Sequence, residues 1–214
     1  MTLKATAARV SMTEKAAARL TALLSRGREL DRLEVLKMKL GIEMLLINLS
    51  KTTLIYAASA ACHLLWQTLV LHTAYYAVRR SSFGLHANTS LGCTLSSAVL
   101  LLGLPYLAIR LPFGNFPVLL TSLICLWILA RHAPADTSKF PLLGPNRRRK
   151  LRSQSLGACL AVTAAALLCP APFKALLMLG AALQTLMIHP FTYQLLKRSV
   201  NNYEQYEAGS VSRN

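Results

Sequence analysis

The chain has 214 residues, 54% of them hydrophobic and 15% charged, with a net charge of +16 and a mean hydropathy of +0.41. Soluble domains of this size carry about 25% charged residues. The apolar residues here gather into runs too long and uniform for ordinary amphipathic helices, which excludes a soluble globular enzyme and leaves a polytopic membrane protein.

The 24 Lys and Arg against 8 Asp and Glu lie between the apolar runs without interleaved aromatics. They read as loops facing anionic lipid, with no nucleic-acid partner. The five cysteines, Cys62, Cys93, Cys125, Cys159 and Cys169, contain no CxxC pair, and four of them lie in apolar runs. Neither a metal site, a disulfide framework nor a cofactor is expected.

Residues 1–40 are basic and weakly amphipathic. Ser11 and Glu14 have the spacing of a capping box, and Leu20, Leu23, Leu24, then Leu30, Leu33, Leu36 and Leu40 recur near helical spacing. This region predicts one or two helices lying in the membrane interface. No short apolar core leads to a small-residue cleavage site, so no secretory leader is expected.

Residues 52–78 carry no Asp, Glu, Lys or Arg, a long run for one span. Two helices turning near Cys62 and His63 are the alternative, and the charges choose between them. Six segments, at roughly 41–60, 63–79, 91–109, 115–131, 154–169 and 173–192, leave every Lys and Arg on the N-terminal side of the membrane except Lys51, Arg110 and Lys174. A single span at 52–78 would split them nearly evenly, so the positive-inside rule selects six segments with both termini in the cytoplasm. The first two are expected to be short or tilted, because Glu43, Asn48 and Lys51 are awkward in lipid. The fold class is therefore all-α: a polytopic helical bundle with an interfacial region at 1–40, a membrane-embedded domain at 41–195 and a flexible cytoplasmic tail at 196–214. The outer connections, 111–117 and 169–172, are short and marked by Pro and Gly. The inner ones, 79–90 and 132–153, are longer and carry the polar residues.

The oddest passage is residues 79–93, which set Arg79, Arg80, Gly84, His86 and Cys93 among hydroxyl residues between two apolar runs. Seven residues along one helix would separate His86 from Cys93 by about 10.5 Å, so the pair can meet only if the chain bends between them. Gly84 permits a fold-back. Asn88, Thr89 and Ser90 are all good N-caps for a helix opening at Leu91, which puts Cys93 in or just past a first turn, where the dipole favours a thiolate. A thiolate beside an imidazole is the core of a cysteine-protease site. On spacing alone, an incidental His and Cys in a polar loop remains the more economical reading.

More of the chain points the same way. The pattern of Arg79, Arg80, Gly84, His86, Ala87 and Cys93 resembles the core of the accessory gene regulator B family of membrane endopeptidases. Leu30 and Asp31 with residues 40–45 resemble that family's entry to its first hydrophobic region. Arg131, His132, Ala133, Pro134, Ala135, Asp136, Thr137 and Lys139 resemble its second inner loop, followed by the basic run Arg147, Arg148, Arg149 and Lys150. The similarity runs from about residue 30 to 195 with order and spacing kept. Leu85 departs from it, since many members have an aromatic residue there.

The resemblance implies that Cys93 is the nucleophile and His86 its base, acting on a short quorum-sensing propeptide with an acidic C-terminal tail. It implies a thioester on Cys93, closed by a Cys or Ser of the substrate into a thiolactone or lactone, in the bacterial cell membrane, by a homodimer. It also gives Lys139 and the run Arg147–Lys150 a part in handling the precursor tail; taken alone, such a run is a topology anchor. Glu43 has two readings, an orienter of the Cys93–His86 pair or a structural ion-pairing residue. Asp136 likewise either caps the inner loop or orients the histidine. His63, His72, His132 and His189 read as packing or interfacial residues. The rival to all of this is a non-catalytic small transporter or membrane scaffold with the same composition.

Overall fold

The computed structural model describes residues 12–27, 31–85, 90–110, 112–137, 141–199, 201–205 and 207, and for Ser90, Leu91 and Cys93 the backbone alone. Among the described residues there are eight helices and no strand: α1 (Met12–Leu24), α2 (Arg32–Ala61), α3 (Leu65–Ser82), α4 (Ser90–Ala108), α5 (Asn115–His132), α6 (Pro145–Leu168), α7 (Ala171–Ile188) and α8 (Pro190–Leu195). The all-α bundle expected from the hydropathy pattern is what the chain forms. It divides into two compact units, residues 1–57 and 58–214.

In the N-terminal unit α1 buries Ala17 and Thr21 and leaves Leu20, Leu23 and Leu24 exposed, as an interfacial helix does. Lys39 Nζ reaches Glu14 Oε1 at 3.2 Å and ties α2 to α1. The Ser11 end of the expected capping box lies outside the described residues. α2 is longer than the apolar run suggested. Its 30 residues pass straight through position 40, because nothing between Arg32 and Ala61 breaks a helix. Gly41 costs only about 1 kcal/mol relative to alanine. The leucine pattern at 33, 36 and 40 and the first hydrophobic segment are thus one helix, with Glu43 half-buried upon it.

The turn expected near Cys62 and His63 is present. His63 takes φ 58°, the Leu64 N–H donates to the Ser59 carbonyl at 2.8 Å, and α3 starts at Leu65. α3 and α4 run antiparallel: Thr68, near the start of α3, donates its hydroxyl to the carbonyl of Leu101, past the middle of α4, at 3.0 Å. α5 opens after Gly114, α6 after Gly144 with Pro145 in its first turn, and α7 after Pro170, each at a Pro or Gly signal. Lys174 donates to Asn115, so α5 and α7 start at the same end of the unit.

α6 begins at Pro145, well before the apolar stretch at 154. The run Arg147–Lys150 is therefore the first turns of a helix, not loop, since Arg and Lys are good helix formers once proline has set the first turn.

The core lies where α3, α5, α6 and α7 meet, around Val78, Cys125, Leu129, Cys159, Ala181 and Ile188. Small residues let the helices approach. A Cβ at Gly180 would collide with the Leu71 carbonyl oxygen, so α7 rests directly on the backbone of α3. α2, α5, α6 and α7 are long and apolar enough to cross a membrane, and α4 holds a shorter apolar stretch, Thr94–Ala108. α5 and α6 expose Leu119, Leu123, Trp127, Leu160 and Leu168, apolar side chains of the kind that face lipid. This is a membrane protein.

Candidate functional site

The C-terminal ends of α3, α5 and α7 and the N-terminal end of α6 converge, and the segment that leads to His86 is fixed there by backbone and side-chain hydrogen bonds. The Gly84 N–H donates to the Ala135 carbonyl at 3.1 Å and the Ala135 N–H to the Ser82 carbonyl at 2.9 Å, a short parallel bridge from the end of α3 to the inner loop after α5. The Leu85 N–H faces the Met187 carbonyl at 3.5 Å. Arg79, one turn before the end of α3, sends Nη2 to the Leu85 carbonyl at 2.9 Å and Nη1 to Gln184 Oε1 at 3.1 Å. Gln184 closes the ring by donating Nε2 to Ser82 Oγ at 2.8 Å and to the Phe83 carbonyl at 2.6 Å.

The backbone of this segment suits a sharp reversal. Gly84 has φ 112°, and a Cβ there would meet Ile188 Cγ2 at 3.0 Å and the Met187 carbonyl oxygen at 3.2 Å. Both the left-handed dihedral and the close approach require glycine. Phe83 has φ 57° and ψ −133°, a conformation that costs an L residue about 1–3 kcal/mol and persists only where the surroundings impose it.

His86 lies outside the described residues. The helix that follows opens at Ser90, so Cys93 is its fourth residue, as the N-cap signals suggested; its side chain is outside the description, as are Asn88 and Thr89. α3 ends at Ser82 and α4 begins at Ser90 as its antiparallel neighbour, so the chain reverses between the two.

The remaining sequence candidates divide. Arg79 is half-buried in the ring described above and Arg80 is exposed. Glu43 belongs to the N-terminal unit. Asp136 is 4% exposed, and its carboxylate accepts from Asn202 N at 3.1 Å, Asn202 Nδ2 at 3.3 Å and Tyr203 N at 2.8 Å. Those three bonds occupy it as a loop-holding group and tie down part of the segment read as a tail. Lys139 is outside the described residues.

Within the basic run Arg147, Arg149 and Lys150 are exposed, whereas Arg148 turns inward. Its Nη1 and Nη2 meet the two carboxylate oxygens of Glu207 at 2.7 and 3.2 Å, the Gly144 N–H adds a bond to Glu207 at 3.0 Å, and the guanidinium lies 3.9 Å from the centre of the Tyr203 ring. The Arg148 bonds first, and the Gly144 N–H second, hold the Glu207 carboxyl below the usual carboxylate range.

Three residues of this region escaped the sequence reading. Gln184 is fully buried; a lone amide in an apolar helix was the available signal. Arg152 donates Nε to the Ala133 carbonyl at 2.7 Å, and its spacing of four from Arg148 marks the inward face of α6. Tyr193 donates its hydroxyl to the Asp136 carbonyl at 3.0 Å, and burial, with the Asp136 charge second, pushes that hydroxyl up to about 12. Nothing local in the sequence announced it. Among the described residues no three His, Cys, Asp or Glu side chains gather as metal ligands would.

Residues 17–188 match the family described as Accessory gene regulator B. The chain is 40% identical over 202 residues to a putative AgrB-like protein of Listeria innocua, covering 94% of this chain and 98% of that one. It is 32% identical over 198 residues to a putative AgrB-like protein of Clostridium acetobutylicum, with 92% and 95% covered. It is also 32% identical over 186 residues to the accessory gene regulator protein B of Staphylococcus epidermidis, with 86% and 93% covered. No solved structure matches it. With that breadth of match, the chain belongs to the accessory gene regulator B family and takes its role in the accessory gene regulator system of quorum sensing.

Proposed function

We propose that this protein is a membrane cysteine endopeptidase that cuts a quorum-sensing propeptide and closes it into a ring. The observation that carries the reading is the reversal between Ser82 and Ser90. On one helix His86 and Cys93 would be stacked about 10.5 Å apart. With the chain reversing between Ser82 and Ser90 and Cys93 in the opening turn of α4, that stacked arrangement does not apply, which supports a pair that meets. There the α4 dipole favours a thiolate, and Arg79 and Arg80 add positive charge.

In the first step the Cys93 thiolate attacks a propeptide carbonyl, the C–N bond breaks, and the His86 imidazolium protonates the leaving amine. In the second, the thiol or hydroxyl of a substrate Cys or Ser attacks the resulting thioester. Its proton passes to His86, the bond to Cys93 breaks, and a thiolactone or lactone forms. Exchange of one thioester for another is nearly balanced, so closure depends on holding the ends together and keeping water out, which a site at the membrane boundary does. The C-terminal fragment released is the acidic tail, which Arg147, Arg149, Lys150 and Lys139 attract from the cytoplasmic side. Both termini lie on that side, and the working unit is a homodimer.

The test is to express the protein with the peptide from a short reading frame beside its gene and follow the products by mass spectrometry. Wild type yields a cyclic product and a Cys93-linked acyl species released by hydroxylamine, and Cys93→Ser and His86→Gln yield neither while remaining in the membrane. Cleavage undiminished in Cys93→Ser would return the protein to the transporter or scaffold reading.

A further inference from the structure

Gln184 holds the end of α3 at three points, Arg79, Ser82 and Phe83. It is fully buried within α7, where an unpaired amide would be costly, and it is paired at both ends. Its oxygen receives Arg79 Nη1 at 3.1 Å, and its nitrogen donates to Ser82 Oγ at 2.8 Å and to the Phe83 carbonyl at 2.6 Å. The chemistry leaves little choice of residue. A guanidinium can only donate and a carbonyl can only accept, so the side chain between them must offer an acceptor and a donor from one short, planar group. Glutamate would face the Phe83 carbonyl with a second acceptor, and methionine or leucine would serve neither partner.

What Gln184 holds is also unusual. Phe83 sits at φ 57°, a conformation that must be imposed on it. The other arm of Arg79 grips the Leu85 carbonyl at 2.9 Å, directly before His86. The remaining fastenings, Gly84 to Ala135, Ala135 to Ser82 and Leu85 to Met187, are between backbone groups and do not involve the Gln184 side chain. Loss of the amide therefore releases the Phe83 carbonyl and removes one partner of Arg79, which holds the Leu85 carbonyl, without dismantling the hairpin.

We propose that Gln184 is a positioning residue for the Cys93–His86 pair: by clamping the Phe83 carbonyl and the Arg79 guanidinium it sets the direction in which the chain enters His86. This rests on the cysteine-peptidase reading above. It assigns Gln184 no contact with substrate. Its effect appears in the coupling of the thiol to the imidazole, and so in turnover more than in substrate binding.

The experiment measures the rate at which iodoacetamide alkylates Cys93 as a function of pH, in the full-length protein in nanodiscs. Peptide mapping separates Cys93 from Cys62, Cys125, Cys159 and Cys169. His86→Gln moves the inflection towards the free-thiol value of about 8.5. Gln184→Met is expected to move it at least halfway there, with precursor turnover slowed about tenfold to a hundredfold and KM little changed. Adding Phe83→Gly to Gln184→Met restores much of the wild-type profile, because glycine takes the Phe83 dihedrals unaided. A Gln184→Met protein with the wild-type profile and turnover overturns the proposal while leaving the peptidase reading intact. A His86→Gln protein with the wild-type profile removes the pair itself and this inference with it. If the methionine variant leaves the membrane fraction, Gln184→Glu, which retains the Arg79 partner, is read against the same two outcomes.

Discussion

Gly180 of α7 lies against the backbone of Leu71 in α3, so close that a Cβ would collide with the Leu71 carbonyl oxygen and stand 2.9 Å from the Tyr75 amide nitrogen. Gln184 is one turn further along the same face, and this contact fixes its distance from Ser82 and Phe83. Gly180→Ala must push the helices apart, because the obstructing atoms are backbone. The expected cost is about 1–3 kcal/mol, read as a lower unfolding temperature in detergent. On the peptidase proposal, propeptide cleavage is expected to fall with it, since the Gln184 contacts open at the same time. An unchanged melting temperature would contradict the close packing.

Gly84→Ala carries two penalties, a left-handed dihedral at φ 112° and a contact at 3.0 Å with Ile188 Cγ2. The protein is expected to reach the membrane, pay about 1–3 kcal/mol for the strained dihedral and lose most propeptide cleavage, measured in the co-expression assay. Trimming the neighbour with Ile188→Ala relieves only the contact, so it should restore stability in part and cleavage hardly at all.

Asp136 binds the Asn202 and Tyr203 amides across 66 and 67 residues of chain. Asp136→Ala is expected to release residues 199–207, seen as new cleavage sites in limited proteolysis of membrane vesicles. Asp136→Asn keeps an acceptor oxygen and should show an intermediate pattern. If neither substitution exposes the segment, Asp136 does not hold it.

The Arg148–Glu207 contact gives this docking a pH dependence. A carboxyl held below its usual value contributes fully above that value, about 4.5, and the contribution is lost as pH falls through the lower folded value. A spin label at Gln205 should therefore gain mobility as the pH drops below about 4.5. Glu207→Gln should raise mobility at neutral pH and flatten the acid transition. Equal acid transitions in the two proteins would assign the effect elsewhere.

Tyr193→Phe removes the donor to the Asp136 carbonyl and is expected to cost about 1 kcal/mol, measured by thermal unfolding. Since the hydroxyl is pushed up to about 12, its contribution is complete below the ordinary tyrosine value near 10 and fades only as pH rises through the folded one. The difference between wild type and Tyr193→Phe should thus be constant from neutral pH to about 9.

Much of the bundle was legible because membrane helices announce themselves by length, and turns by Pro and Gly. The break at His63, the openings at Gly114 and Pro170 and the start of α4 at Ser90 all fell where residue chemistry put them. Positions 40 and 154 did not mark helix ends, because hydropathy changes there while helix propensity does not. Near the proposed site Gly84 was legible, since its φ of 112° and close neighbours call for glycine. The site's supports were hidden because they depend on long-range pairing. Gln184 reads as one amide in a greasy run until α3 lies beside it, and the partners of Asp136 lie in a polar segment that composition alone marks as loose.

The distance in sequence between Phe83 and Gln184, 101 residues, has a consequence for biosynthesis. A ribosome needs ~5–20 s to cover it at ~5–20 residues per second. For that interval α3 is already in the bilayer and the bend beyond it has no amide to lean on. Cys93 emerges early, but the amide that holds the Phe83 carbonyl arrives only once α7 has been threaded in, so on the peptidase proposal a half-inserted chain does not yet cut.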